Sequence, residues 1–111
     1  MNYLLISFLL FVQSFSFPIS EEAKTPVASH EKWDMLLKKH VKPNGLVDYK
    51  GFLADSVQLH QYLQHLSTNP PSASAAAPEQ LAYWINAYNA YTIILILRHY
   101  PVKSINEIGP K

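Results

Sequence analysis

The sequence predicts an α+β domain, predominantly helical, made of a helical hairpin, one short strand and a buried central helix. Three observations lead there. Residues 29–41 and 52–66 both repeat apolar side chains at helical spacing. Between them GLVDY, residues 45–49, is the one short run suited to a strand. Finally, LAYWINAYNAYTIILIL, residues 81–97, is uncharged and framed by helix start and stop signals.

In the first helix, SHEKWDMLLKKHV, Ser29 is the expected cap. Trp33, Leu36, Leu37 and Val41 fall at i, i+3, i+4 and i+8, on one face. His40 shares that stripe and reads as a core-edge residue, because no ligand partner stands at helical spacing. Lys42-Pro43-Asn44-Gly45 is turn chemistry, and Leu46, Val47 and Tyr49 form the strand. The second helix buries Phe52, Leu59, Leu63 and Leu66. His60 and His65, five residues apart, diverge around it and read as two solvated side chains rather than a metal pair. STNPPSASAAAP, residues 67–78, is a flexible connection.

Pro78 and Glu79 suit the first turn of the central helix, Arg98 and His99 its last, and Pro101 stops it. Stepping ~100° per residue puts Trp84, Tyr88, Tyr91 and Leu95 on one stripe, read as core. With apolar residues nearly all round, the helix is expected to be central and buried rather than to span a membrane. Asn86 and Asn89 interrupt it, projecting within ~60° of one another. Either they clamp the backbone of a neighbouring element, or they line a pocket and orient a reacting group. A buried amide left unmet costs about 1–3 kcal/mol, so a neighbour is required in both cases.

The totals exclude several classes. Formal charge is +1 and the nine basic residues are scattered, so no nucleic-acid patch or polybasic anchor is present. There is no cysteine, hence no disulfide, thiolate zinc site or lipoprotein attachment. No metal or cofactor is expected. Leu4 to Val12 is an apolar run too short to span a bilayer, and Ser14 and Ser16 are small residues placed for cleavage before Phe17. Residues 1–16 are therefore expected to be a signal peptide that exports the protein to the periplasm or beyond, with 17–28 a disordered lead-in. About 95 residues then remain, enough for one small domain.

From residue 30 to 109 the sequence resembles the family called domain of unknown function 547. Tyr83, Trp84, Ile85, Asn86, Tyr88 and Asn89 match its aromatic, Trp-Ile-Asn, any residue, Tyr-Asn helix. Tyr100, Pro101, Val102, Ser104 and Ile105 match the turn that follows, and Gly45, Val47, Asp48 and Tyr49 match its usual opening. The resemblance implies that Asp48, Tyr49, Trp84, Asn86, Tyr88 and Asn89 are structural or pocket-lining, without assigning a catalytic residue. It also implies a kinship with papain-like or transglutaminase-like folds, in which a Cys nucleophile begins the central helix. Here that position reads Ala77-Pro78-Glu79-Gln80. Family members carry a further segment with a His-Phe-Ala-Leu motif and a Cys-Pro, and Ser104-Ile105-Asn106-Glu107 is a capping box that signals one more helix. Residues 29–111 are accordingly expected to be a truncated form of that domain.

No specific reaction follows from these residues. Three expectations stand: an exported domain of this family, a hydrolase completed by sequence elsewhere, or a non-catalytic module binding a protein or cell-envelope partner. The last predicts an exposed apolar or aromatic patch on the folded domain and no perturbed titrating group.

Overall fold

A computed structural model describes residues 27–110 of the chain. The expected signal peptide, and all of the lead-in before Val27, lie outside the described residues. The order is α1 (Glu31–His40), α2 (Tyr49–Ala54), α3 (Ser56–Thr68), α4 (Ala77–Arg98) and a 3-10 turn at Ile105–Glu107. The described chain is predominantly helical.

In α1, Glu31 and Asp34 occupy the first turn and Lys38, Lys39 and His40 the last, each sign matching the nearer end of the helix dipole. The cap position is His30 rather than Ser29, whose Oγ instead accepts from Glu31 N at 3.4 Å. After α1 the chain turns through Gly45, at φ +83°, a conformation that glycine takes without penalty. Leu46 N donates to Asn44 Oδ1 at 3.1 Å within that turn.

The expected strand is corrected. Among the described residues no strand forms, and GLVDY contributes one antiparallel bridge, Val41 to Val47. Asp48 is the reason: its Oδ1 accepts from Gly51 N at 2.9 Å, capping α2, so Tyr49 is already helical. The second helix is likewise broken in two at Asp55 (φ −100°, ψ 24°). Asp and Ser are weak helix formers, and the Asp55 carboxylate bonds to α1 instead.

The core lies where these helices meet. Trp33, Phe52, Leu59, Tyr62 and Leu66 are its fully buried large side chains. Trp33 stacks on Tyr62 at 5.6 Å with the rings 2° apart, and Phe52 meets Trp33 and His40 at 6.1 and 4.9 Å. The expected stripes hold: Trp33 and Leu36 on α1, and Phe52, Leu59, Leu63 and Leu66 on α2 and α3, are buried.

α4 packs against α2 and α3. Its inner stripe is Tyr83, Ala87, Ala90, Ile94 and Leu97, all buried, and the two alanines let its backbone approach closely. Tyr83 Oη donates to Leu66 O at 2.6 Å, joining α4 to the end of α3. Tyr83→Phe is expected to lower stability by about 1–2 kcal/mol, read as an earlier urea midpoint, because the carbonyl loses its buried partner. The reading of α4 as buried on all sides is corrected: Trp84, Tyr88, Tyr91 and Leu95 are exposed. No helix among the described residues is long and apolar enough to cross a membrane.

Candidate functional site: the outer face of α4

The unburied half of α4 is the most unusual surface of the described domain. Leu81, Trp84, Ile85, Tyr88, Tyr91 and Leu95 all face solvent, Trp84 at 60% and Tyr88 at 74% exposure. Leu81, Trp84, Tyr88, Tyr91 and Leu95 follow one another at three- and four-residue steps and so form a single stripe. At ~100° per residue its centre lies roughly 120° from that of the buried stripe. No Asp, Glu, Lys or Arg occurs between Leu81 and Leu97. Thr92 turns its hydroxyl inward to Tyr88 O at 2.7 Å, which spends its polarity within the helix. Contiguous apolar area of this kind is rare on a monomer and marks an interaction surface.

The two asparagines lie away from this stripe: at ~100° per residue Asn89 is roughly 120° from its centre and Asn86 roughly 180°. Asn86 is half-buried at the edge of the core and Asn89 is exposed. Ile85 lies between Asn89 and the aromatic stripe. Among the described residues neither amide side chain makes a hydrogen bond, so the expected clamp on a neighbouring element is not formed by this part of the chain. Among the described residues no hydrogen bond joins Asp48 or Tyr49 to them. Asp48 is committed to capping α2, and Tyr49 is half-buried against the core. The motif residues thus divide into a structural pair at α2 and a surface group on α4.

Two other polar clusters are built into the fold. His40, buried, donates through Nε2 to Asp55 Oδ2 at 2.7 Å, and Lys39 Nζ reaches the same oxygen at 2.7 Å. Lys39 first, then His40, holds the Asp55 carboxyl below the usual carboxylate range. His40 is therefore the core-edge residue that its spacing predicted, with a partner the spacing could not show. Since the folded value lies below the ordinary 3.8, the stabilisation is complete above that value and is lost as pH falls through the folded one. Asp55→Asn is expected to remove this acid limb from a plot of urea midpoint against pH.

The second cluster corrects the reading of His65 as solvated. Ser29 N donates to His65 Nε2 at 2.9 Å, and Tyr62 Oη pairs with His30 Nδ1 at 2.7 Å, so α3 fastens the segment that leads into α1. Burial pushes the Tyr62 phenol up to about 12, keeping its proton in place. Burial, then the neighbouring His65, lowers His30 below its ordinary 6.5. Beside these rings a shallow groove of about 260 Å³ is lined by Ser29, Glu31, Lys32, Met35, Gln61, Tyr62 and His65. Ser29 and His65 are not a nucleophile–base pair: the backbone N–H, not the hydroxyl, meets the ring. His30 resists protonation in the folded state, so its contribution is complete above 6.5 and is lost as pH falls below that value. A lower amide protection factor at Ser29, relative to the intrinsic exchange rate at each pH, is the expected sign as pH falls from 7.5 to 5.

Sequence reasoning placed the aromatic residues but on the wrong side of the helix. It missed Tyr62 and Tyr83 as bonded core residues, and Asp55 altogether. A signal for the correct face was present in Ala87 and Ala90, small residues at close-packing spacing. Among the described residues no group of three or more His, Asp or Glu is placed to hold a metal ion. No family model matches the chain, and no curated protein or solved structure matches it.

Proposed function

We propose that the protein is an exported, non-catalytic polypeptide-binding module whose docking surface is the outer face of α4. The observation that carries this reading is the exposed, uncharged stripe centred on Trp84 and Tyr88. Aromatic residues dominate the centres of protein interfaces, where charged residues are depleted. A polypeptide fits better than an anionic lipid surface, since interfacial helices that bind such lipids carry Lys and Arg beside their apolar face. The resemblance to the domain of unknown function 547 family, with residues 1–16 as an export signal, is part of the same proposal. In that reading the Trp-Ile-Asn motif marks a seat for a partner rather than a reacting centre.

The experiment is site-specific photo-crosslinking of the full chain in its native source. A photoreactive phenylalanine analogue replaces Tyr88, with Met35 on the exposed side of α1 as control. The reading predicts a covalent adduct to polypeptide from position 88 and none from position 35. Failure to trap polypeptide at position 88 overturns it.

A further inference from the structure

We propose that the occupant of the α4 outer face is a second copy of this chain, packed antiparallel about a two-fold axis between Tyr88 and Tyr91. This rests on the docking reading above and names its partner. Three features of α4 support it.

The first is spacing. Leu81, Trp84, Tyr88, Tyr91 and Leu95 advance by three, four, three and four residues. That is the heptad pattern of a helix packed knobs-into-holes along another helix. A helix with the same spacing fits such a stripe, and the α4 of a second copy supplies one. In the antiparallel arrangement Trp84 of each copy meets Leu95 of the other, and Tyr88 meets Tyr91. Large residues then face smaller ones at the ends, and the tyrosine rings meet in the middle.

The second is charge. The stripe carries none, so two identical faces meet without like-charge repulsion. The next residue in the series is Arg98, exposed at the end of α4. Parallel copies would place the two Arg98 guanidinium groups side by side, whereas antiparallel copies put them at opposite ends of the contact. Charge selects the antiparallel form.

The third is area. Six large apolar side chains, three of them aromatic, expose on the order of 700 Å² together. That exceeds the ~300–600 Å² patch a monomer commonly leaves bare. It approaches the ~800 Å² per partner of a standard stable interface. A two-fold contact is self-complementary, so the one patch serves both sides.

The crosslink from position 88 identifies the partner, and sedimentation equilibrium of the full chain measures the association. The proposal expects the trapped peptide to come from the α4 of a second copy and the protein to be dimeric. Tyr88→Glu, present once in each copy, is expected to raise the dimer dissociation constant by about 100-fold or more, with the helical circular dichroism unchanged. Leu95→Glu, also exposed, should do the same through a different layer. A monomer at every concentration, or a dimer indifferent to both substitutions, overturns the proposal. A crosslink from position 88 solely to a different polypeptide overturns the second copy and leaves the docking reading standing. No polypeptide adduct from position 88 overturns both.

Discussion

Replacing Trp33 by alanine is expected to cost about 3–5 kcal/mol, enough to unfold much of the population, while the same replacement at Trp84 leaves the isolated domain within about 0.5 kcal/mol of its original stability. The chain has two tryptophans, and the fold uses them in opposite ways. Trp33 is 2% exposed, stacked on Tyr62 and tilted against Phe52, so its loss opens a cavity between α1, α2 and α3. A small domain holds roughly 5–15 kcal/mol in all, which makes such a cavity decisive. Trp84 touches the edge of Tyr83 and is otherwise turned to solvent. Urea unfolding at low protein concentration, followed by circular dichroism, reads both values without contribution from association. Equal losses at the two positions would show that the face of α4 carrying Trp84 belongs to the core.

Gly51→Ala is the second large effect, and its sign runs against helix propensity. Within a helix this change ordinarily gains about 0.5–1 kcal/mol. Here the new Cβ would stand 2.8 Å from His40 Cε1 and 2.7 Å from Asp48 Oδ2, and closer still to His40 Nδ1. His40 has nowhere to go: it is buried, pinned to Asp55 through Nε2, and packed against Phe52. Asp48 gives way only by surrendering the cap of α2, worth about 1 kcal/mol. Overpacking of this kind costs about 1–3 kcal/mol, so a net loss of about 2–3 kcal/mol is expected in the urea midpoint. The variant should also show a weakened acid limb, because displacing His40 loosens Asp55.

Much of the fold was legible because periodicity reports burial wherever a helix has one wet side. α1 and α3 are of that kind, and Trp33, Leu36, Leu59, Leu63 and Leu66 were placed from spacing alone. The bounds of α4 were legible from Pro78, Glu79, Arg98 and Pro101. Which side of α4 faces inward was not, since apolar residues surround it and the pattern has no polar half to break the tie. The choice is made by what packs there: α2 and α3 accept Ala87 and Ala90 and leave no room for Trp84 or Tyr88. GLVDY looked like a strand because its β-branched and aromatic residues alternate, but the cap made by Asp48 overrides that preference. The break at Asp55 comes from Lys39 and His40 on α1, partners fifteen or more residues away that no local pattern encodes. The candidate site was legible as a set of residues, not as a surface.

The central claim is that the outer face of α4 is bare on the isolated monomer and is covered by a second copy as the protein associates. Acrylamide quenching of tryptophan fluorescence across a protein dilution series tests it most directly, with Trp33 supplying a constant shielded background and Trp84 the variable signal. The account predicts free quenching of Trp84 in dilute solution and progressive shielding as concentration rises. Tyr88→Glu should stay freely quenched throughout. Trp84 already shielded in the dilute monomer, or equally quenched at every concentration, would contradict it.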